Sequence, residues 1–398
     1  MMKTFEELMM KNVKKLLPIS LFLVAAVCAD QPGQSKQGQP KQETSSIAEM
    51  NLQDKMQPIS ANHGTDRGFY IDGSYLYWKA DMDNLAYAAT TTQTGSAATG
   101  FTVKSRNENM DFEWNSGGQL EIGYIFDDRQ GWKAGASATH YKGHAHGTTT
   151  ADDFAPMSNF LISGWYAPLN GQNLSKAHAH WDLNFNTLDL TLGRDFYVSK
   201  WLSFSPYFGM QGAWIKQEYK ANYTGGFNML PSTFVSNNSK VKFENHFSGY
   251  GFEFGTGFIF HIIKNFGIVG NIQGSMLWGY IRTTQKGKGA IPNLIGSVPG
   301  LTPETIKTVD KKHRLRTNIQ SELGFLWEMF WNENYNRFYL SAMYTYSVWF
   351  NQQEFKNVGF SANQIAATNL TATNYAFNES APGDLQLQGL VIKAGFDF

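Results

Sequence analysis

Apolar residues recur at every second position over stretches of 10 to 18 residues, again and again from Gly68 to the C-terminus. That is the period of a β-strand and not of a helix, and it restricts the fold more than any other feature. In the clearest stretch Leu202, Phe204, Pro206, Phe208, Met210, Gly212 and Trp214 share one face, and Ser203, Ser205, Tyr207, Gly209, Gln211 and Ala213 the other. The pattern returns in Leu120 to Phe126, Phe252 to Phe260, Phe266 to Trp278 and Leu315 to Met329. One stretch changes phase, with Trp181, Leu183 and Phe185 giving way to Leu188, Leu190 and Leu192, which predicts a bulge near Asn186.

Ten such segments are expected, at about 68–80, 110–126, 131–142, 180–197, 201–219, 244–262, 266–283, 313–331, 337–350 and 385–398. Short turns at 127–130, 198–200, 264–265 and 332–336 alternate with long loops, and an even strand number with that asymmetry is the outer-membrane pattern. The expected fold is therefore all-β, a transmembrane antiparallel β-barrel of about ten strands with short periplasmic turns and long extracellular loops. Twelve strands are the alternative if 143–179, with its Phe160-Leu161-Ile162 run, or 351–384 holds another hairpin. A soluble sandwich would also alternate, but its strands usually run 3 to 10 residues, roughly. Tyr70, Trp132, Trp201, Phe330 and Trp331 fall near strand ends, where an interfacial aromatic girdle is expected.

The N-terminal part reads as targeting sequence. Lys11, Lys14 and Lys15 precede an apolar run from Leu16 to Ala29, a secretory signal peptide over 1–29 with translation starting at Met10 or Met1. Val27 before Cys28 argues against lipidation, and cleavage after Ala29 removes the only cysteine. Residues 30–66 read as a disordered polar leader and 67–398 as the barrel. The chain balances 33 basic against 33 acidic residues, which argues against nucleic-acid binding through a basic field. The alternating C-terminal run ending at Phe398 looks like the signal read by the barrel-assembly machinery.

Three stretches carry a family resemblance: GFYIDGSYLYWKADMDNLAYA (68–88), LGRDFYVSKWLSFSPYFGMQGAWIKQ (192–217) and SVWFNQ (347–352). They resemble the Legionella-type major outer-membrane protein family and the similar porin-like proteins of chlamydia-related bacteria. The resemblance implies a pore-forming outer-membrane barrel and supplies no catalytic residues. Chlamydial major porins are cysteine-rich and this chain is not, so the resemblance does not extend to a disulfide-crosslinked envelope role.

If the apolar faces meet lipid, the opposite faces line a lumen. Asp72, Asp111, Glu113, Glu121, Asp189, Glu253, Glu322 and Glu328 then stand against Lys133, Arg314, Arg316 and Lys393, which predicts mild cation preference. The same residues can instead pair with each other and fill the interior. Gly249, Gly251, Gly255 and Gly257 share the inward parity beside Glu253, consistent with a widened lumen, an infolded loop or strand curvature. Two His-x-His units, His144 with His146 and His178 with His180, flank one loop and offer imidazoles to zinc, copper or nickel, solvated loop histidines being the plainer reading. Asp152, Asp153 and Ser158 lie in that loop, but no spacing pairs a nucleophile with a base. The expected function is a porin in the bacterial outer membrane for small hydrophilic solutes or ions, with no reaction and no organic cofactor. Outer-membrane lipid and lipopolysaccharide are its surroundings, and a homo-oligomer is possible. A closed-lumen adhesin or structural barrel, using loops 284–311 and 351–384, is the alternative, and a rim-site hydrolase a third reading.

Overall fold

The computed structural model describes residues 68–96, 100–126, 132–151, 159–165, 174–230, 233–295, 298–331, 336–356, 359–362, 373–376 and 380–398. The expected signal peptide and leader lie outside the described residues, as do Asp152, Asp153 and Ser158. Seventeen strands follow in chain order among the described residues: β1 (Gly68–Met82), β2 (Ala88–Ser96), β3 (Gly100–Glu108), β4 (Asp111–Phe112), β5 (Trp114–Ile125), β6 (Trp132–Thr150), β7 (Asn159–Ser163), β8 (Leu174–Arg194), β9 (Phe196–Tyr197), β10 (Leu202–Leu230), β11 (Thr233–Ile263), β12 (Phe266–Ile295), β13 (Val298–Trp331), β14 (Asn336–Lys356), β15 (Gly359–Ala362), β16 (Thr373–Ala376) and β17 (Ser380–Asp397).

Ten of these close an antiparallel ring in the order β1, β5, β6, β8, β10, β11, β12, β13, β14, β17 and back to β1. Closure leaves no sheet edge unpaired, which a membrane requires. The extra strands do not make the ring twelve. β15 and β16 form a separate hairpin, while β2, β3 and β7 attach to the ring through the pairing of Leu161 with Leu174 at the start of β8.

Outward side chains in the turn-side half of the strands are large and apolar. On β11 Tyr250, Phe252, Phe254 and Phe260 are all exposed, and β12 and β13 add Ile272, Met276, Leu315, Leu323 and Phe325. The eleven residues from Tyr250 to Phe260 cover, on a tilted strand, about the 25 Å of a lipid-facing band. Rings gather at both margins. Phe69 meets Tyr124 at 4.9 Å and Trp331 meets Phe396 at 5.4 Å on the turn side, and Tyr77 stacks on Trp114 at 5.4 Å on the loop side. Tyr70, expected in this girdle, faces inward instead and donates to Glu121, because it shares the parity of Asp72.

The strands run well past the band, so the expected loop 284–311 is largely the hairpin of β12 with β13, paired without a break up to Ile295 and Val298. Here the apolar face has changed sides. Phe243 and Phe247 on β11, Ile215, Tyr219 and Tyr223 on β10, and Trp181, Leu183 and Phe185 on β8 point inward and are buried. The expected bulge at Asn186 is therefore absent, and the register runs continuously through Asn186 opposite His140 and Trp214. The apolar residues switch parity there because lipid covers the outside below that level and an aromatic core fills the inside above it.

Chain from outside the regular strands completes that core. After Met82 the backbone turns at Asn84, in the left-handed region at φ 60°, with its Nδ2 donating to the carbonyl of Pro382 at 2.7 Å. Leu85 and Tyr87 then enter the barrel, where the hydroxyl of Tyr223 donates to the carbonyl of Tyr87 at 2.8 Å. Beyond β7, Trp165 packs on Phe243 at 4.8 Å. On β14 the register slips between Trp349 and Gln353 around Asn351, at φ 52°, and past it Phe355 points inward, 5.0 Å from Phe243.

Candidate functional site

Below the aromatic core, toward the turns, the inward face is polar because every outward position there is spent on lipid. A cavity of about 320 Å³ opens among Tyr70, Glu121, Asp189, Tyr207, Glu253 and Lys393. Its lining includes five carboxylates, Glu121, Asp189, Glu253, Glu322 and Glu328, and three bases, Lys133, Arg337 and Lys393.

Each base is already committed. Lys393 lies 3.0 Å from Asp72 and 2.8 Å from Glu121. Lys133 lies 2.9 Å from Asp195, and Arg337 lies 3.1 Å from Glu328 and 2.7 Å from Asp397. The other three carboxylates are held by neutral donors. Gln211 donates to Asp189 at 2.7 Å and reaches Glu253 at 3.4 Å, Gln273 donates to Glu253 at 3.3 Å, and Glu322 accepts from Thr345 at 3.0 Å and Gln320 at 3.1 Å. No Lys or Arg among the described residues lies within ion-pair distance of these three.

Of the residues expected in the lumen, Asp72, Glu121, Lys133, Asp189, Glu253, Glu322, Glu328 and Lys393 surround this chamber. Arg316 and Arg314 stand higher, gathered with Lys312 on Glu354 beside the aromatic core. Asp111 and Glu113 face outward, which corrects the expectation. Asp111 is paired with His146, whose ring nitrogen lies 2.8 Å from Glu113 on the outer surface. Asp195, Arg337 and Asp397 were missed because two lie at strand ends and the third sits beside a turn, where alternation gives little warning of facing. Of the inward glycines Gly257 lines the chamber with space before it, whereas Gly249 and Gly255 are covered by rings. The Tyr207 ring lies across Gly255, and the Phe247 ring across Gly249 and Gly279.

The histidines sit on outward strand positions rather than in a loop, and the four do not converge on one point. His144 and His180 meet over Asp182, at 2.7 and 3.1 Å from its Oδ1, while His146 turns to Glu113 and His178 to Thr148. The ligand atoms of His144, His180 and Asp182 all lie within 4.8 Å of one another, so they can hold a metal ion, although the carboxylate already satisfies both imidazoles without one.

Arg337 permits a stability test. Replacing it by alanine leaves Glu328 and Asp397, both nearly buried, facing each other without their cation, and should cost about 3–5 kcal/mol. Urea titration of the refolded protein in micelles checks this, and a loss below about 1 kcal/mol would show the cluster to be solvated.

The family model for the Legionella pneumophila major outer membrane protein precursor matches residues 64–398. Among solved structures, the outer membrane protease OmpT of Escherichia coli is 11% identical, the match covering 83% of this chain and 96% of that one at a TM-score of 0.33. OprG of Pseudomonas aeruginosa is 11% identical over 68% of this chain and 97% of its own, at a TM-score of 0.25. The Pseudomonas putida toluene transporter TodX is 8% identical over 83% and 90%, at a TM-score of 0.22. No curated protein sequence matches significantly.

Proposed function

The chain belongs to the Legionella major outer membrane protein family and is an outer-membrane β-barrel, and from that premise we propose that it is a channel for small hydrophilic solutes or ions, mildly cation-preferring and closed on its loop side in this conformation. The observation that carries the reading is the chamber itself, in which Asp189, Glu253 and Glu322 project without cationic partners. A ring of carboxylates within a low-dielectric wall concentrates cations and repels anions. With periplasmic turns, the chamber belongs to the periplasmic half of the barrel. The reading assigns no reaction and no cofactor.

The aromatic core above the chamber favours a second reading, a permanently closed barrel whose extracellular parts act as adhesin or scaffold. One experiment separates the two. The refolded protein is placed in planar bilayers under a salt gradient and compared with the variant Asp189→Asn, Glu253→Gln, Glu322→Gln. The channel reading expects brief openings whose reversal potential favours cations, with that preference reduced in the variant. An unchanged reversal potential overturns the assignment of selectivity to these three residues, and silence that persists after the core is loosened overturns the channel itself.

A further inference from the structure

Beyond the lipid-facing band, the outward residues of β10, β11, β12 and β13 form transverse rungs that the register specifies. The last girdle rung is Trp214, Ser248, Tyr280 and His313. Two residues farther out comes Lys216, His246, Arg282 and Lys311, an all-basic rung. The next holds Glu218 and Glu244, and the one after it Lys220, Lys242, Lys286 and Lys307. Lys240 and Lys288 follow, side by side.

Among the described outward residues on these rungs, Glu218 and Glu244 are the only carboxylates, and they are occupied. Glu218 pairs with Lys220 and with Lys242 at 2.9 Å, and Glu244 with Lys242 at 2.8 Å and Lys286 at 3.4 Å. No described carboxylate lies within ion-pair distance of Lys216, Arg282 or Lys311. Like charges directly opposite one another on neighbouring strands destabilise a sheet unless something outside it compensates. Burial, with Lys216 and Arg282 acting alongside it and Glu244 and Glu218 against it, depresses the pKa of His246.

The wall across the barrel differs. Beyond the band β14 presents Tyr346 and Val348, β17 presents Gln386 and Asp384, and β1 presents Lys79 and Asp81. The rungs of several bases thus lie on β10 to β13 and not on the wall of β14, β17 and β1, immediately outside an aromatic girdle, at the height where phosphates of the outer leaflet lie. Four adjacent strands span about 15 Å, enough for more than one phosphate on a single headgroup.

We propose that the outer wall of β10 to β13 is a binding site for the phosphorylated sugar headgroup of the outer leaflet's glycolipid, with Lys216, Arg282 and Lys311 as its principal phosphate contacts. The fork of Arg282 can take two phosphate oxygens at once, and the two lysines flank it as point charges. The site rests on the outer-membrane placement of the barrel and is independent of whether the lumen conducts.

The test uses the full-length refolded protein in neutral detergent, with diphosphorylated lipid A, dephosphorylated lipid A and inorganic phosphate as probes, read by tryptophan fluorescence and by shift in thermal unfolding. The variants are Lys216→Ser, Arg282→Ser, Lys311→Ser combined, and Lys216→Arg, Lys311→Arg as the charge-keeping pair. Diphosphorylated lipid A should bind wild type and the charge-keeping pair alike and the triple serine variant about tenfold more weakly or worse. Dephosphorylated lipid A should bind all three weakly, and inorganic phosphate should not displace the lipid. Equal binding to wild type and the triple variant overturns the proposal, as does equal binding of the two lipids. Displacement by inorganic phosphate at matched concentration would make the rung a site for free anions, which also overturns it.

Discussion

With Trp165 and Phe355 both replaced by alanine, the barrel is expected to pass several times the wild-type current at the same voltage. Trp165 enters the loop-side half from chain beyond β7, and Phe355 from the end of β14 past its register slip, where it pairs with Ala381 of β17. They meet at 5.8 Å and both press on Phe243, so together they occupy the middle of the core. Removing a buried Phe or Trp costs about 3–5 kcal/mol, as lost burial plus the cavity left behind, and here the cavity opens within the aromatic core beside Phe243. Phe185 against Trp349 at 5.4 Å and the ten-strand ladder remain to hold the fold. Retention of a heat-modifiable band on gels would show that the variant still folds. A folded variant as quiet as wild type would eliminate gating by this core and favour the closed-barrel reading.

The second large effect concerns parity on β11. Phe252→Arg should destabilise the barrel by about 2–4 kcal/mol, because that side chain faces the bilayer interior. Phe247→Arg should be at least as damaging, since it places an unpaired charge within the aromatic core. His246→Arg, one residue away, should change stability by no more than about 1 kcal/mol, since that position lies beyond the girdle. Phe252 is 72% exposed and His246 is exposed as well, so side-chain exposure in water would predict that arginine is tolerated equally at both. Equal losses at Phe252 and His246, in denaturant titrations from lipid bilayers, would show that the lipid band is misplaced.

Much of the architecture was legible from alternation. All ten expected segments correspond to ring strands, and the short turn at 264–265 joins β11 to β12. The lumen-facing charges from Asp72 to Lys393 could be read the same way, because parity alone decides their side once lipid is assigned to the apolar face. Where reading failed, parity had been combined with a wrong solvent. Alternation carried back from β5 puts Asp111 and Glu113 inside, whereas the strand breaks before Trp114, β4 pairs separately with β6, and both carboxylates face outward. The shift at Phe185 to Leu188 implies a bulge only if one apolar face runs along the whole strand, whereas the register is continuous there.

The sequence by itself determined that this chain forms long antiparallel strands and which residues share a face, since a period of two follows from local backbone geometry. Which medium each face meets was decided only by the tertiary structure. Closure into ten strands leaves a lumen narrow enough for rings from Trp165, Tyr87 and Phe355 to fill, so apolar residues are favoured inside on the loop side and outside within the membrane. The basic rungs likewise exist only through register, because Lys216, Arg282 and Lys311 lie far apart in the chain and come onto one rung when hydrogen bonds fix four strands in one alignment.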